Sequence, residues 1–120
     1  MEIQSTAQLN ERQCVPCEGG VEACSLAHSR NQLHALPGWI LSDDGKLISR
    51  SWRLKNFEQA MKLINASGGV AEQEQHHPDL HLTGYRHVKI ELTTHAIGGL
   101  SENDFIVAAK IDAVAKGLGL

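Results

Sequence analysis

The stretch Arg86-His87-Val88-Lys89-Ile90-Glu91-Leu92-Thr93-Thr94 alternates polar and apolar side chains along its length. Successive side chains of a strand point to opposite faces, so Val88, Ile90 and Leu92 share the core side. Just upstream, a short strand around Leu80 to Thr83 is followed by Gly84 as a turn, which makes the two runs a hairpin. A second hairpin reads at Trp39-Ile40-Leu41 and Leu47 to Leu54, with Ile48, Trp52 and Leu54 on one face. Asp43-Asp44-Gly45 between them carries the Asp-Gly turn signal, because glycine accepts a positive φ at no steric cost.

Helices are expected before, between and after these hairpins. From Glu22 to His34, Ala23, Leu26, Ala27, Arg30 and Leu33 follow helical spacing, until Pro37-Gly38 stops the pattern. Asn56 with Gln59 forms a capping-box-like pair, and Phe57, Ala60, Met61 and Ile64 form an apolar stripe. That helix is expected to run to about Gln75, with Gly68-Gly69 as a weak point where each glycine costs roughly 1 kcal/mol relative to alanine. The last helix has Ser101 as N-cap, Asp104 at the third position and Leu100 with Phe105 as a hydrophobic staple. Ile106, Ala109 and Ala113 are expected to face inward, and Gly117 to end the helix. Hairpins give antiparallel pairs rather than βαβ crossovers. The order α-β-β-α-β-β-α therefore predicts an α+β two-layer sandwich, a four-stranded antiparallel sheet with three helices on one face. Residues 1–20 show little periodicity and read as an extended or mobile arm; residues 21–120 read as a single domain.

Composition narrows the function. A chain of 120 residues with 42% hydrophobic and 21% charged residues has the makings of a globular core. A net charge of -3 with neither sign clustered argues against nucleic acid as the main partner. No apolar run approaches the roughly 20 residues of a membrane span. Met1-Glu2-Ile3-Gln4 lacks a basic and apolar leader pattern, and an odd count of three cysteines does not close a disulfide framework. These features together predict a cytoplasmic protein without a membrane partner.

Five of the seven histidines, His76, His77, His81, His87 and His95, fall within twenty residues. Imidazole, with an unperturbed pKa of about 6.5, gives and takes protons near neutral pH. His76-His77-Pro78 reads as a pair of imidazoles fixed at a helix end by a rigid proline; the plainer account is a polar helix terminus whose charge suits the helix dipole. His95 has the parity of the outward-facing residues, which suits a site and also suits an ordinary exposed histidine. For Asp104, the capping position is by itself a sufficient structural reason. A metal at His76, His77 and His81 is disfavoured, since adjacent histidines rarely converge on one ion and no HExxH helix accompanies them. Cys14-x-x-Cys17 with Cys24-x-x-x-His28 offers four zinc ligands, against the simpler account of thiols in a mobile arm. No GxGxxG, P-loop or GxSxG motif is present, so phosphate cradling and serine-hydrolase chemistry have no support.

The set Glu72-x-x-x-His76-His77-Pro78, then Tyr85, His95 and Asp104, resembles the signature of the pterin-4a-carbinolamine dehydratases. Leu54-Lys55-Asn56-Phe57 and the run Thr93-Thr94-His95-Ala96-Ile97-Gly98-Gly99-Leu100-Ser101-Glu102-Asn103-Asp104-Phe105 match as well, so the likeness spans roughly Leu36 to Ala115. The arm Cys14-Val15-Pro16-Cys17-Glu18-Gly19-Gly20 is similar to that of bacterial members; Cys24 and His28 lie outside the pattern. The resemblance implies the same fold, dimers that sometimes pair into tetramers, and loss of water from a 4a-hydroxytetrahydropterin made by aromatic amino-acid hydroxylases. It implies His76 and His95 as the catalytic proton-transfer pair. His77, Pro78 and Asp104 would bind and orient the pterin, with no metal and no cofactor. The same resemblance leaves open a non-catalytic dimerisation or assembly role on this fold. A module released from catalysis could lose His76, His77 or His95, and this chain keeps all three.

Overall fold

A computed structural model describes residues 2–15 and 22–120. Its sheet is four-stranded and antiparallel throughout, built from β1 (Ile40–Leu41), β2 (Ile48–Arg53), β3 (Asp79–Thr83) and β4 (His87–Leu92) in the order β1-β2-β4-β3. The alternating stretch that suggested the fold is thus a central strand. Its register sets Val88 opposite Trp52, Ile90 opposite Arg50 and Leu92 opposite Ile48. Val88, Ile90, Leu92, Ile48 and Trp52 are all buried on that face, while His81, His87 and Lys89 stand exposed on the other. The α+β class is as the sequence predicts.

The helices are α1 (Thr6–Glu11), α2 (Leu26–Gln32), α3 (Phe57–Glu74) and α4 (Glu102–Gly117), with 3-10 turns at Leu33–Ala35 and His95–Ile97. Helix α4 is the spine of the molecule. It lies against both α3 and α1, and Asn103 to Ala109 are buried without a break. Near its other end Asp112 accepts the indole N–H of Trp39 at 2.9 Å and the Arg50 guanidinium at 2.8 Å, tying α4 to the first hairpin. Burial pushes the Asp112 carboxyl up from its ordinary value, against the downward pull of Trp39 and Arg50.

Four expectations need correction. The N-terminal arm is not simply extended. Ser5 and Gln8 form a reciprocal capping box, and α1 brings Leu9 to complete burial in the core. Residues 16–20 of that arm lie outside the described residues. Helix α2 begins at Leu26 rather than Glu22, because Ser25 caps it and accepts the His28 N–H. Phe57 is exposed. The buried stripe of α3 is Ala60, Leu63, Ser67, Ala71 and Glu74, about one position round from the most apolar stripe. Ala113 also faces outward. Helix α3 runs unbroken through Gly68-Gly69, where an added Cβ would meet nothing within 4 Å.

Candidate active site

Helix α3 ends where Gln75 takes a left-handed conformation, φ 53°. His76 N–H then turns back to the Ala71 carbonyl at 3.2 Å, a Schellman-type closure. The chain leaves the helix at this point, and Pro78 leads into β3. His95 is placed by a second device. After β4, Thr94 and Gly99 bridge each other, and the intervening 3-10 turn starts at His95. That turn closes on Gly98, whose φ of 66° favours glycine.

The two devices converge on a cleft of about 620 Å³ lined by His76, His77 and His95, with Glu74, Thr94 and Cys14 among its other walls. His76 Nε2 lies 2.6 Å from Asp104 Oδ1, and the carboxylate is fully buried. Asp104 Oδ2 accepts the Thr94 hydroxyl at 2.7 Å and the Ser101 N–H at 3.0 Å. One carboxylate thereby caps α4, pins the turn that carries His95 and orients the His76 ring. A buried carboxylate is stable only with its lone pairs satisfied, and these contacts satisfy them. His77 differs from its neighbour: its Nε2 meets Glu72 at 3.0 Å on the open surface. His95 is exposed at the cleft. Pro78 and Asp104 do not line the cleft; Pro78 fixes the exit from α3 and Asp104 stands behind His76.

Sequence reasoning missed the wall made by the arm. Gln13, Cys14 and Val15 line the cleft. Cys14 N–H donates to Glu74 Oε1 at 2.8 Å, while Val15 exchanges two hydrogen bonds with the Asn103 side chain, at 3.1 and 2.6 Å. Glu74 Oε2 accepts from Lys110 Nζ at 2.9 Å. Burial alone would raise the Glu74 carboxyl, but the Cys14 N–H and Lys110 outweigh it and hold the group below its ordinary value. Burial and the Glu74 charge push the Cys14 thiol up to about 12, so it is a poor nucleophile. The available signal was the Ser5-x-x-Gln8 capping box, which marks a helix start in the arm.

Of the four residues that could offer zinc ligands, Cys14 does not join Cys24 and His28. Among the described residues, the group able to share an ion is Cys24, His28 and Glu102, and Cys14 is not in it. Cys17 lies outside the described residues.

Fold and cleft together define a small α+β protein with histidines converging on a space of small-molecule size, backed by a buried carboxylate. The chain belongs to the pterin 4 alpha carbinolamine dehydratase family, whose pattern it matches over residues 22–114. A Nitrosomonas eutropha protein provisionally named pterin-4-alpha-carbinolamine dehydratase is 50% identical over 111 residues, 92% of this chain and 96% of that one. The mitochondrial pterin-4-alpha-carbinolamine dehydratase 2 of Arabidopsis thaliana is 45% identical over 111 residues, 90% of this chain and 59% of that longer protein. A solved transcriptional coactivator/pterin dehydratase from Brucella melitensis superposes with a TM-score of 0.73 at 31% identity, over 78% of this chain and 99% of that one. A pterin dehydratase-like protein identified as a RuBisCO assembly factor in the alpha-carboxysome shares the fold at 22% identity and a TM-score of 0.56. Among the described residues, no helix is long and apolar enough to cross a membrane.

Proposed function

We propose that this protein is a hydro-lyase that removes water from a 4a-hydroxytetrahydropterin to give the quinonoid dihydropterin, in tetrahydropterin recycling. The observation that carries the reading is the His76–Asp104 pair facing a cleft shared with His77 and His95. The reaction breaks the C4a–O bond and the N5–H bond and forms a C4a=N5 double bond and water. It needs one proton delivered to the departing hydroxyl and one removed from N5, with no net redox change. Positioned imidazoles contribute roughly 100- to 10,000-fold to such transfers. His76 and His95 fill the two proton-transfer roles, His77 orients the pterin, and Asp104 acts on the substrate only through His76. Pro78 holds the turn from which His76 and His77 project.

The partners on this reading are the pterin and a second copy of the chain; an aromatic amino-acid hydroxylase would supply the substrate. The bacterial relatives support a cytoplasmic setting.

The test is the rate at which pure protein dehydrates chemically generated carbinolamine, after subtraction of the spontaneous reaction. Acceleration that persists in a chelator is expected. No acceleration, or activity abolished by chelators in a protein that stays folded with its arm in place and restored by one metal, would overturn the reading.

A further inference from the structure

A second cluster of chemically capable side chains lies outside the cleft. Cys24, His28 and Glu102 each offer one ligand atom, and these atoms all lie within 4.8 Å of one another. None of the three lines the cleft. Zinc takes sulfur and nitrogen ligands at about 2.0–2.3 Å, so its neighbouring ligands stand roughly 3–4 Å apart. His28 Nε2 and Glu102 Oε1, at 3.1 Å, are already near that spacing.

Each residue is held in place by contacts that leave its ligand atom in the cluster. Cys24 N–H donates to the Leu100 carbonyl at 2.8 Å, fixing it beside the start of α4. That approach requires a glycine at Gly99, where an added Cβ would stand 2.8 Å from the Ala23 Cβ. His28 lies in the first turn of α2, its N–H bonded to Ser25 Oγ and its ring edge-on to Phe105 with centroids 6.2 Å apart. Glu102 uses its other oxygen, Oε2, for the Gln4 amide at 2.8 Å and the Arg12 guanidinium at 3.2 Å. Such supporting hydrogen bonds are the kind that orient a ligating carboxylate. An ordinary histidine–carboxylate pair explains His28 and Glu102; the Cys24 thiol, packed in the core, brings a soft donor atom to the same point.

We propose that Cys24, His28 and Glu102 bind a borderline-soft divalent cation of the Zn²⁺ type through Sγ, Nε2 and Oε1. A sulfur, nitrogen and oxygen donor set favours zinc over the all-oxygen cages of calcium and magnesium. Binding forms three bonds to the metal and releases the thiol proton, with His28 ligating as a neutral imidazole that keeps its one ring proton on Nδ1. The ion would clamp α2 to α4 and, through Gln4 and Arg12, to the arm. The proposal does not depend on the dehydratase reading.

The experiment titrates Zn²⁺ into the chelator-treated, reduced full chain against a chromogenic competitor, and records the absorption of the Co²⁺ form. The wild type is expected to take up one ion per chain and to show a thiolate-to-cobalt charge-transfer band. Cys24→Ser and His28→Gln should each weaken uptake by on the order of 100-fold or more, since even supporting residues of metal sites are worth 10- to 100-fold. A Cys14→Ser/Cys17→Ser protein should keep both the uptake and the band. Absence of stoichiometric uptake by the wild type would overturn the proposal. So would uptake that survives Cys24→Ser, or uptake lost from the Cys14→Ser/Cys17→Ser protein.

Discussion

Glu102 and Asp104 sit two residues apart in the first turn of α4, and each holds an imidazole from another element. Asp104 is fully buried, and its contacts are neutral hydrogen-bond donors plus His76. Glu102 is 18% exposed and shares its charge with Arg12. The histidines reverse that order of function. His76 faces the cleft, whereas His28 is packed under Phe105 beside a thiol. One helix start thus carries two carboxylate–imidazole pairs, and what each can do is set by what lies beyond the ring. Open space beyond His76 allows proton exchange with a bound molecule. A buried sulfur beside His28 allows a three-ligand coordination site.

The largest effect that could break this contrast is catalytic. His76→Ala should lower kcat by about 100-fold or more, because it removes proton transfer made in the transition state. His28→Ala should leave kcat within about twofold and instead lower the urea midpoint. Steady-state kinetics on both folded variants check this, and equal losses of kcat would erase the distinction between the pairs.

Asp104→Asn should come next. An amide cannot accept from Thr94 and Ser101 while also serving His76 in the same way, so a buried donor or acceptor is left short. The expected cost is about 1–3 kcal/mol of stability, with a kcat loss much smaller than that of His95→Ala. A rate loss equal to that of His95→Ala, in a well-folded variant, would make Asp104 a group that meets the substrate.

The adjacent histidines sharpen the comparison on a smaller scale. His77 rests on exposed Glu72 rather than on a buried carboxylate. Its replacement by alanine should chiefly raise KM, because an orienting contact acts in ground and transition states alike. Identical changes in kcat and KM for His76→Ala and His77→Ala would require treating the pair as one titrating unit.

Glu74 supplies the smallest effect and a third kind of carboxylate, one that holds the arm and α4 to the wall of the cleft. Its folded pKa is depressed below an ordinary 4.5. The stability it contributes is therefore present above that value and is lost as pH falls through the depressed one. Urea midpoints measured from pH 6 down to pH 3 should decline more steeply for the wild type than for Glu74→Gln. Parallel declines would show that Cys14 and Lys110 do not stabilise the ionised form.

Legibility in the sequence followed how strongly each segment is exposed on one side. β4 has one wet face and one dry face, so its alternation was readable, and the Ser101–Asp104 cap at α4 was readable from residue types alone. Helix α3 misled because its inward stripe includes Ser67 and Glu74 while Phe57 points outward. Helix α4 is surrounded on most sides, so its interior carries no clear period and Ala113 was placed on the wrong face. The arm helix, Thr6–Glu11, is too short for periodicity, and its only signal was the capping box. The site divides in the same way. His76, His77 and His95 stood out by spacing, whereas nothing in the sequence paired Asp104 with His76. Contacts across long separations, such as Val15 with Asn103 or His28 with Glu102, had no local signature at all.

The most direct test is a single-turnover measurement of carbinolamine dehydration by wild type, His76→Ala and His95→Ala in the presence of a strong chelator. The account predicts rapid dehydration by the wild type and a loss of about 100-fold or more in each variant. Wild-type rates no faster than the spontaneous reaction, or variants as fast as the wild type, would contradict it.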